Sequence, residues 1–264
     1  ALAWEDTEEE RVQVLTHAAL AKVRQQASVG VMGDAFFDPP FCRAVVTSIG
    51  ESLALTTANG QLRFKPTAAF GDAANDIDSL EVGRPNASSS NTVVTFGERL
   101  FLKGYRRLRE GINPELEMGR FLTDEVAYPN CVAVLGALEY FGNDGQVVTL
   151  ALVQSYVANQ GDGWSYTLGY LERYLDRLHG TSIVAGSLAD DDGDAHDGFL
   201  DLMRLLGQRT AELHQALART TGHAAFDPEP MTDADHQANR QRVQQEAGGD
   251  AAHAATNHQH VHIS

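Results

Sequence analysis

Lys103 closes an apolar run, Leu100-Phe101-Leu102-Lys103, and Glu117 follows fourteen residues later in a segment that opens with Asn113-Pro114 and continues at helical period. A strand lysine followed by a helix carboxylate is a device for gripping nucleotide phosphates. The lysine supplies a compact cation for the α- and β-phosphates, and the carboxylate fixes its rotamer and balances its charge. Upstream, the small polar residues Ser88-Ser89-Ser90-Asn91-Thr92 make a turn that leads into the strands. The stretch from Ser88 to Glu117 therefore reads as half of an ATP site. The same residues also fit a plainer description, a lysine guarding a sheet edge and a solvated glutamate.

Positioning such a pair requires a sheet with a helix laid on it. Strands are expected at Thr92–Phe96, Arg99–Tyr105, Val132–Tyr140 and Val147–Val157, with one helix over Pro114–Glu125 and a turn at Gly142-Asn143-Asp144-Gly145. Two strands, a helix and two antiparallel strands is the order of a kinase amino-terminal lobe. Upstream, residues 5 to 27 are charged and Ala-rich with a near-helical apolar spacing, so a helix is expected there. A second should start at Asp38-Pro39-Pro40, with Asp38 as N-cap and Phe41, Val45, Val46 and Ile49 as its apolar face, and stop at Gly50. Leu53–Leu55 and Leu62–Phe64 read as a hairpin with an Asn-Gly turn, and Gly71–Pro85 as a helical turn plus linker. Beyond Val157 the pattern is helical: Tyr166–Leu178, Asp197–Ala218 with a buried stripe of Leu200, Met203, Leu206, Leu213 and Leu217, and Asp233–Glu246.

The chain has 264 residues and a formal charge of −16. That charge argues against nucleic acid, whose phosphates demand clustered Lys and Arg. Arg106, Arg107 and Arg109 beside Lys103 form the densest basic cluster, either solvated or within reach of a phosphate. Cys42 and Cys131, isolated in apolar surroundings, make no disulfide framework, so a cytoplasmic location is expected. No signal peptide and no membrane-length apolar run is present, and the opening Ala1 hints at a piece of a longer protein. The acidic loop from Ala189 to Asp197 lacks calcium-loop register, because a Gly193 at the sixth position would start the loop on Leu188. The tail histidines His253, His258, His260 and His262 lie in low-complexity sequence expected to be disordered. His214 is expected to be a helix-surface or core histidine.

Five segments carry a family resemblance: Asp34 to Arg43 (DAFFDPPFCR), Leu62 to Thr67 (LRFKPT), Ser90-Asn91-Thr92, Gly111 to Thr123 (GINPELEMGRFLT) and Asn159 to Trp164 (NQGDGW). In this order they resemble bacterial maltokinases, and more closely the maltokinase region fused behind trehalose synthase, from about Val29 to about Glu246. The resemblance implies ATP-dependent phosphorylation of maltose to maltose 1-phosphate with Mg2+. It also implies an α+β architecture: a small α/β cap (residues 1–85), a protein-kinase-like lobe of curled antiparallel sheet plus one helix (86–158), and helices of an incomplete carboxy-terminal lobe (159–246). A disordered tail (247–264) is expected to follow. Carried onto this chain, Ser90, Asn91 and Thr92 form the phosphate-side turn, Lys103 contacts the phosphates, Glu117 rather than Glu115 pairs with Lys103, and Gln154 to Val157 form the hinge against adenine.

The pattern departs from the family downstream. Phosphoryl transfer needs a catalytic Asp, an Asn five residues on, and a later metal-binding Asp. Between Gln160 and Ser264 the nearest imitation is Asp235-His236, where Arg240 stands in the Asn position; Asp197 and Asp201 fall on a helix with a packing role. The expectation is a nucleotide grip without the transfer machinery or most of the sugar site, as a truncation or frameshift would leave. The alternatives are a non-catalytic region that scaffolds a partner or a fused trehalose synthase domain, and a half-kinase completed by another chain.

Overall fold

Asp38, Pro39 and Pro40 open helix α2 (Pro39–Gly50) as the prolines dictate, with Pro in the first turn and the chain leaving the helix after Gly50. Its buried face is Cys42, Val45, Val46 and Ile49, and this face is the centre of the main core. Asp38 sits at the N-cap position, but its carboxylate makes no capping bond. It turns instead to Arg11, which donates to it through Nε at 2.9 Å and Nη2 at 2.6 Å. The computed structural model describes residues 1–85, 90–180 and 193–242. Ser88 and Ser89 of the polar turn, most of the acidic loop and the histidine-bearing tail lie outside the described residues.

The helix expected over residues 5 to 27 forms only over Glu9–Thr16, and the rest of that range is corrected to turn and strand. Strand β1 (Leu2–Trp4) precedes a short helix α1 (Glu9–Thr16), and the chain then runs as β2 (Ala19–Gln25) and β3 (Ser28–Gly33). These strands form a three-stranded antiparallel sheet in the order β1-β3-β2. Alanine favours a helix in isolation, but pairing of Ala19–Gln25 along β3 overrides that weak preference.

The second sheet has seven strands in the order β4-β5-β9-β10-β8-β7-β6, all antiparallel. Its members are β4 (Ala54–Thr57), β5 (Gly60–Pro66), β6 (Val82–Gly83), β7 (Thr92–Phe96), β8 (Leu100–Gly104), β9 (Val134–Gly142) and β10 (Val147–Ser155). The hairpin forms as expected, but Ala58 and Asn59 make its turn, with Thr57 facing Gly60. Gly60 is already in the sheet opposite Gly142, where a Cβ would meet the Phe141 carbonyl at 2.2 Å. The supposed linker contains β6, paired with β7. The sheet runs across residue 85, with β5 pairing along β9 and β6 along β7.

Each face of this sheet carries one helix. On one side α2 packs with Phe64, Val94, Phe96, Leu100, Leu102 and Val153 in a buried cluster; sealing each such side chain from water contributes roughly 1.5–3 kcal/mol. On the other side helix α3 (Pro114–Arg120) lays Leu116 against Val134, Ala137 and Leu152. The expected helix to Glu125 continues only as a single π turn, Phe121–Glu125. The fold is thus α+β: a three-stranded sheet with α1, then a seven-stranded antiparallel sheet with α2 and α3 on its two faces, followed by helices.

Helices α4 (Gly163–Gly180) and α5 (Gly193–Leu217) follow. They meet through Tyr166 and Tyr170 stacked on Phe199 at 6.2 and 4.1 Å between ring centres. The stripe expected to be buried along α5 is open at Leu200, Met203 and Leu206. Burial returns only near its end at Ala216, where Tyr128 and Asn130 bond to Arg209 and Glu212. The chain divides into two units, Ala1–Leu217 and Ala218–Ser264. Within the second, Asp227 accepts from the amides of Thr221 and Gly222, and a helix over 233–242 is capped reciprocally by Thr232 and Asp235. Asp235 is therefore a helix cap.

Candidate nucleotide grip

β8 presents Leu100 and Leu102 to the α2 core and Lys103 to the opposite face, the alternation that any strand imposes. There Lys103 stands opposite Leu152 of β10, which contacts Leu116 of α3. Its ammonium meets both carboxylate oxygens of Glu115, at 2.9 and 2.7 Å. The Tyr105 hydroxyl donates to the same carboxylate at 2.8 Å. The expected pairing with Glu117 is thus corrected: the lysine's partner is Glu115.

Helix phase explains the choice. Asn113 caps α3, its side-chain oxygen accepting from the amides of Glu115 and Leu116 at 3.0 and 3.1 Å, and Pro114 fills the first helical position. Leu116 must face the core, so Glu115 and Glu117 fall on opposite flanks of it, about 100° apart from it on either side. The flank facing the sheet is the one containing Glu115 and, one turn on, Gly119, where a Cβ would meet Val134 Cγ2 at 2.3 Å. The capping Asn-Pro pair, legible in the sequence, sets where the helix begins, but not which flank meets the sheet. Tyr105, the third member, was missed.

The cluster is partly withdrawn from water, with Lys103 21% and Glu115 37% exposed in their side chains. Burial, and after it the hydrogen bond to Glu115, push the Tyr105 phenol well above its usual range, so it remains a donor across physiological pH. An ammonium carries three hydrogens. The contacts to Glu115 take at most two of them.

The other expected residues are placed as follows around the sheet, not all on the face of Lys103. Ser90 and Asn91 lead into β7, and Thr92 begins it opposite Gly104. The Thr92 hydroxyl accepts from Arg106 Nε at 2.6 Å, and Arg106 also pairs with Asp34. Arg106 lies 5.1 Å over the Phe36 ring, which packs where Gly104 lacks a side chain. Arg106 is thus tied into the contact between residues 34–36 and the end of β8. Gln154 pairs with Phe101 in the β8–β10 register and shares the face of Lys103. Val157 lies just beyond β10, its carbonyl accepting from the Asn159 side chain at 3.1 Å. The sheet brings Thr92, Lys103 and Gln154 onto adjacent strands, but Thr92, opposite Gly104, faces the α2 side while Lys103 and Gln154 face the α3 side; Val157 follows the carboxy-terminal end of β10, the end nearer Leu152.

No protein-family model matches the chain. Among solved structures it is similar to a glucosamine kinase (crystal form B), with 24% sequence identity and a TM-score of 0.49 over 80% of this chain and 44% of that one. The chain thus spans less than half the length of that structure. Among the described residues no group of three or more His, Cys, Asp and Glu is placed to hold a metal ion, and no helix is long and apolar enough to cross a membrane.

Proposed function

We propose that this chain supplies the nucleotide grip of an ATP-dependent sugar kinase of the maltokinase type, acting in the cytoplasm, with maltose as acceptor and maltose 1-phosphate as product of the complete reaction. The observation that carries the reading is the Lys103–Glu115 pair, braced by Tyr105 and seated on the sheet by the Asn113-capped helix. ATP supplies a transferable phosphoryl group when bound. Lys103 meets its α- and β-phosphates, Glu115 and Tyr105 hold the ammonium in place, and the Ser90-Asn91-Thr92 turn and the Gln154–Val157 segment flank it. Maltose as acceptor rests on the motif resemblance.

For magnesium the donor set among the described residues does not fit. Transfer depends on positioning and on neutralising the charge that develops on the phosphoryl oxygens. With no recognisable catalytic Asp or metal-binding Asp in the sequence, this chain alone is proposed to bind nucleotide without turning it over. The test is ATP binding by the purified chain and by Lys103→Ala, alongside maltose 1-phosphate formation from ATP, magnesium and maltose. Binding that weakens in the variant, without product, is expected. Robust turnover by the chain alone would overturn the second half of the proposal, and binding indifferent to Lys103→Ala would overturn the first.

One observation favours a second reading, a non-catalytic region that docks a partner such as a trehalose synthase domain. Trp164, Leu206 and Leu175 on α4 and α5 are 74%, 59% and 51% exposed, an apolar display that single scattered residues do not explain.

A further inference from the structure

At the far end of α3 from Lys103, the helix and the β4–β5 hairpin border an open cleft of about 420 Å³. Its walls include Leu53, Ala54 and Pro66, and its charged lining is Arg63 and Lys65 of β5 with Arg120 of α3. Arg63 and Lys65 are two apart on one strand, so both project from the α3 face of the sheet. Both lie 4.2 Å over the ring of Phe141, which holds the two cations on one platform.

One carboxylate meets two of these three cations. Glu139, only 6% exposed, receives Lys65 Nζ at 3.1 Å and both terminal nitrogens of Arg120 at 3.5 Å. Arg63 donates through Nε to the neutral side chain of Gln61 at 2.8 Å. The balance of these four groups is two positive charges gathered at a concavity, in a chain whose formal charge is −16. The Arg120 contacts are at the long limit of hydrogen bonding, so its guanidinium retains donor capacity. Glu139 thereby preorganises the cations without cancelling them.

We propose that this cleft binds a small phosphorylated metabolite, its phosphate monoester held among Arg63, Lys65 and Arg120 and its organic body against Leu53, Ala54 and Pro66. A phosphomonoester carries about −1.5 to −2 at neutral pH, which matches the uncompensated charge. Planar guanidinium groups grip phosphate oxygens in pairs, and the cleft is larger than a bare phosphate needs. The site is separate from Lys103 and does not depend on the proposed function.

The test is titration of the full chain with glycerol 3-phosphate and with inorganic phosphate, followed by calorimetry and by amide NMR shifts. Saturable shifts are expected at residues 61–65, 120 and 139–141, with glycerol 3-phosphate bound more tightly than phosphate. Arg63→Gln removes one charge-assisted contact and should weaken binding about tenfold. Because Arg63 is exposed and does not touch Glu139, the thermal midpoint should stay where it is. Lys103→Ala should leave the affinity unchanged. Absence of saturation up to about 10 mM, weaker than the −4.1 kcal/mol of a 1 mM complex, would overturn the proposal. So would an affinity unaffected by Arg63→Gln, or shifts abolished by Lys103→Ala. Equal affinity for inorganic phosphate would overturn the assignment of an organic ligand.

Discussion

Glu115 and Glu117 offer a matched pair of perturbations, because both stand in the first turns of one helix and differ only in which flank of Leu116 they occupy. Replacing either by Ala keeps helix propensity high; only Glu115→Ala removes the partner of Lys103. At 4 Å two unit charges interact by about 1 kcal/mol in water and about 4 kcal/mol at the effective dielectric near a protein surface. The Lys103–Glu115 contacts of 2.9 and 2.7 Å are close, but Glu115 is 37% exposed, and solvent screening draws the value toward the lower bound. About 1–1.5 kcal/mol of positioning remains, which is about tenfold in affinity. Tyr105 loses its acceptor at the same time and adds to the effect. The expected result in a fluorescent-nucleotide titration is binding weakened about tenfold by Glu115→Ala and less than about twofold by Glu117→Ala, each referred to Lys103→Ala as the limit. If Glu117→Ala were as damaging as Glu115→Ala, or if both were silent while Lys103→Ala was not, the claim that Glu115 positions the lysine would be refuted.

Two further outcomes concern the elements that support this sheet. Asp38 is 1% exposed and its carboxylate is held bidentate by Arg11, so Arg11→Ala strands a buried charge. Removing one partner of a buried pair costs roughly 3–5 kcal/mol, and the partial exposure of Arg11 lowers the expected loss to about 2–3 kcal/mol in chemical denaturation. Adding Asp38→Asn should restore part of it, and a loss below about 0.5 kcal/mol would contradict the account. Cys42 is buried, and desolvation pushes its thiol up to about 12. Its folded value is raised, so its contribution to stability is present below the ordinary thiol range near 8.5 and fades as pH rises toward 12. At pH 8 its thiolate fraction is on the order of 10⁻⁴, so a thiol reagent should label Cys131 first and reach Cys42 only on unfolding. Equal native labelling rates would count against the packing of α2.

The strand register around Lys103 was largely legible because local rules set it. Alternating apolar residues, the Gly142–Gly145 turn and the Asn113-Pro114 cap each act within a few residues. Observed boundaries of β7 to β10 differ from expectation by no more than two residues at either end. The Asp38-Pro39-Pro40 signal started α2 at the expected place, and Gly50 ended it. Within residues 5 to 27, the expected helix holds at Glu9–Thr16 but not over Ala19–Gln25, because alanine carries little periodic signal and partner availability decided between helix and strand.

By itself, the sequence determined that a lysine would end a buried strand and that a capped helix bearing two glutamates would follow. Which glutamate the lysine meets was settled only by tertiary packing. The burial of Leu116 and the close approach of Gly119 to Val134 rotate α3 so that Glu115 overlooks β8. The same packing carries Arg120 across to Glu139 and Lys65, joining residues 55 positions apart in sequence into one charged cleft. Local chemistry sets where a helix begins, but its orientation on a sheet is a contest among all contacts along its length, and no short window of sequence contains them.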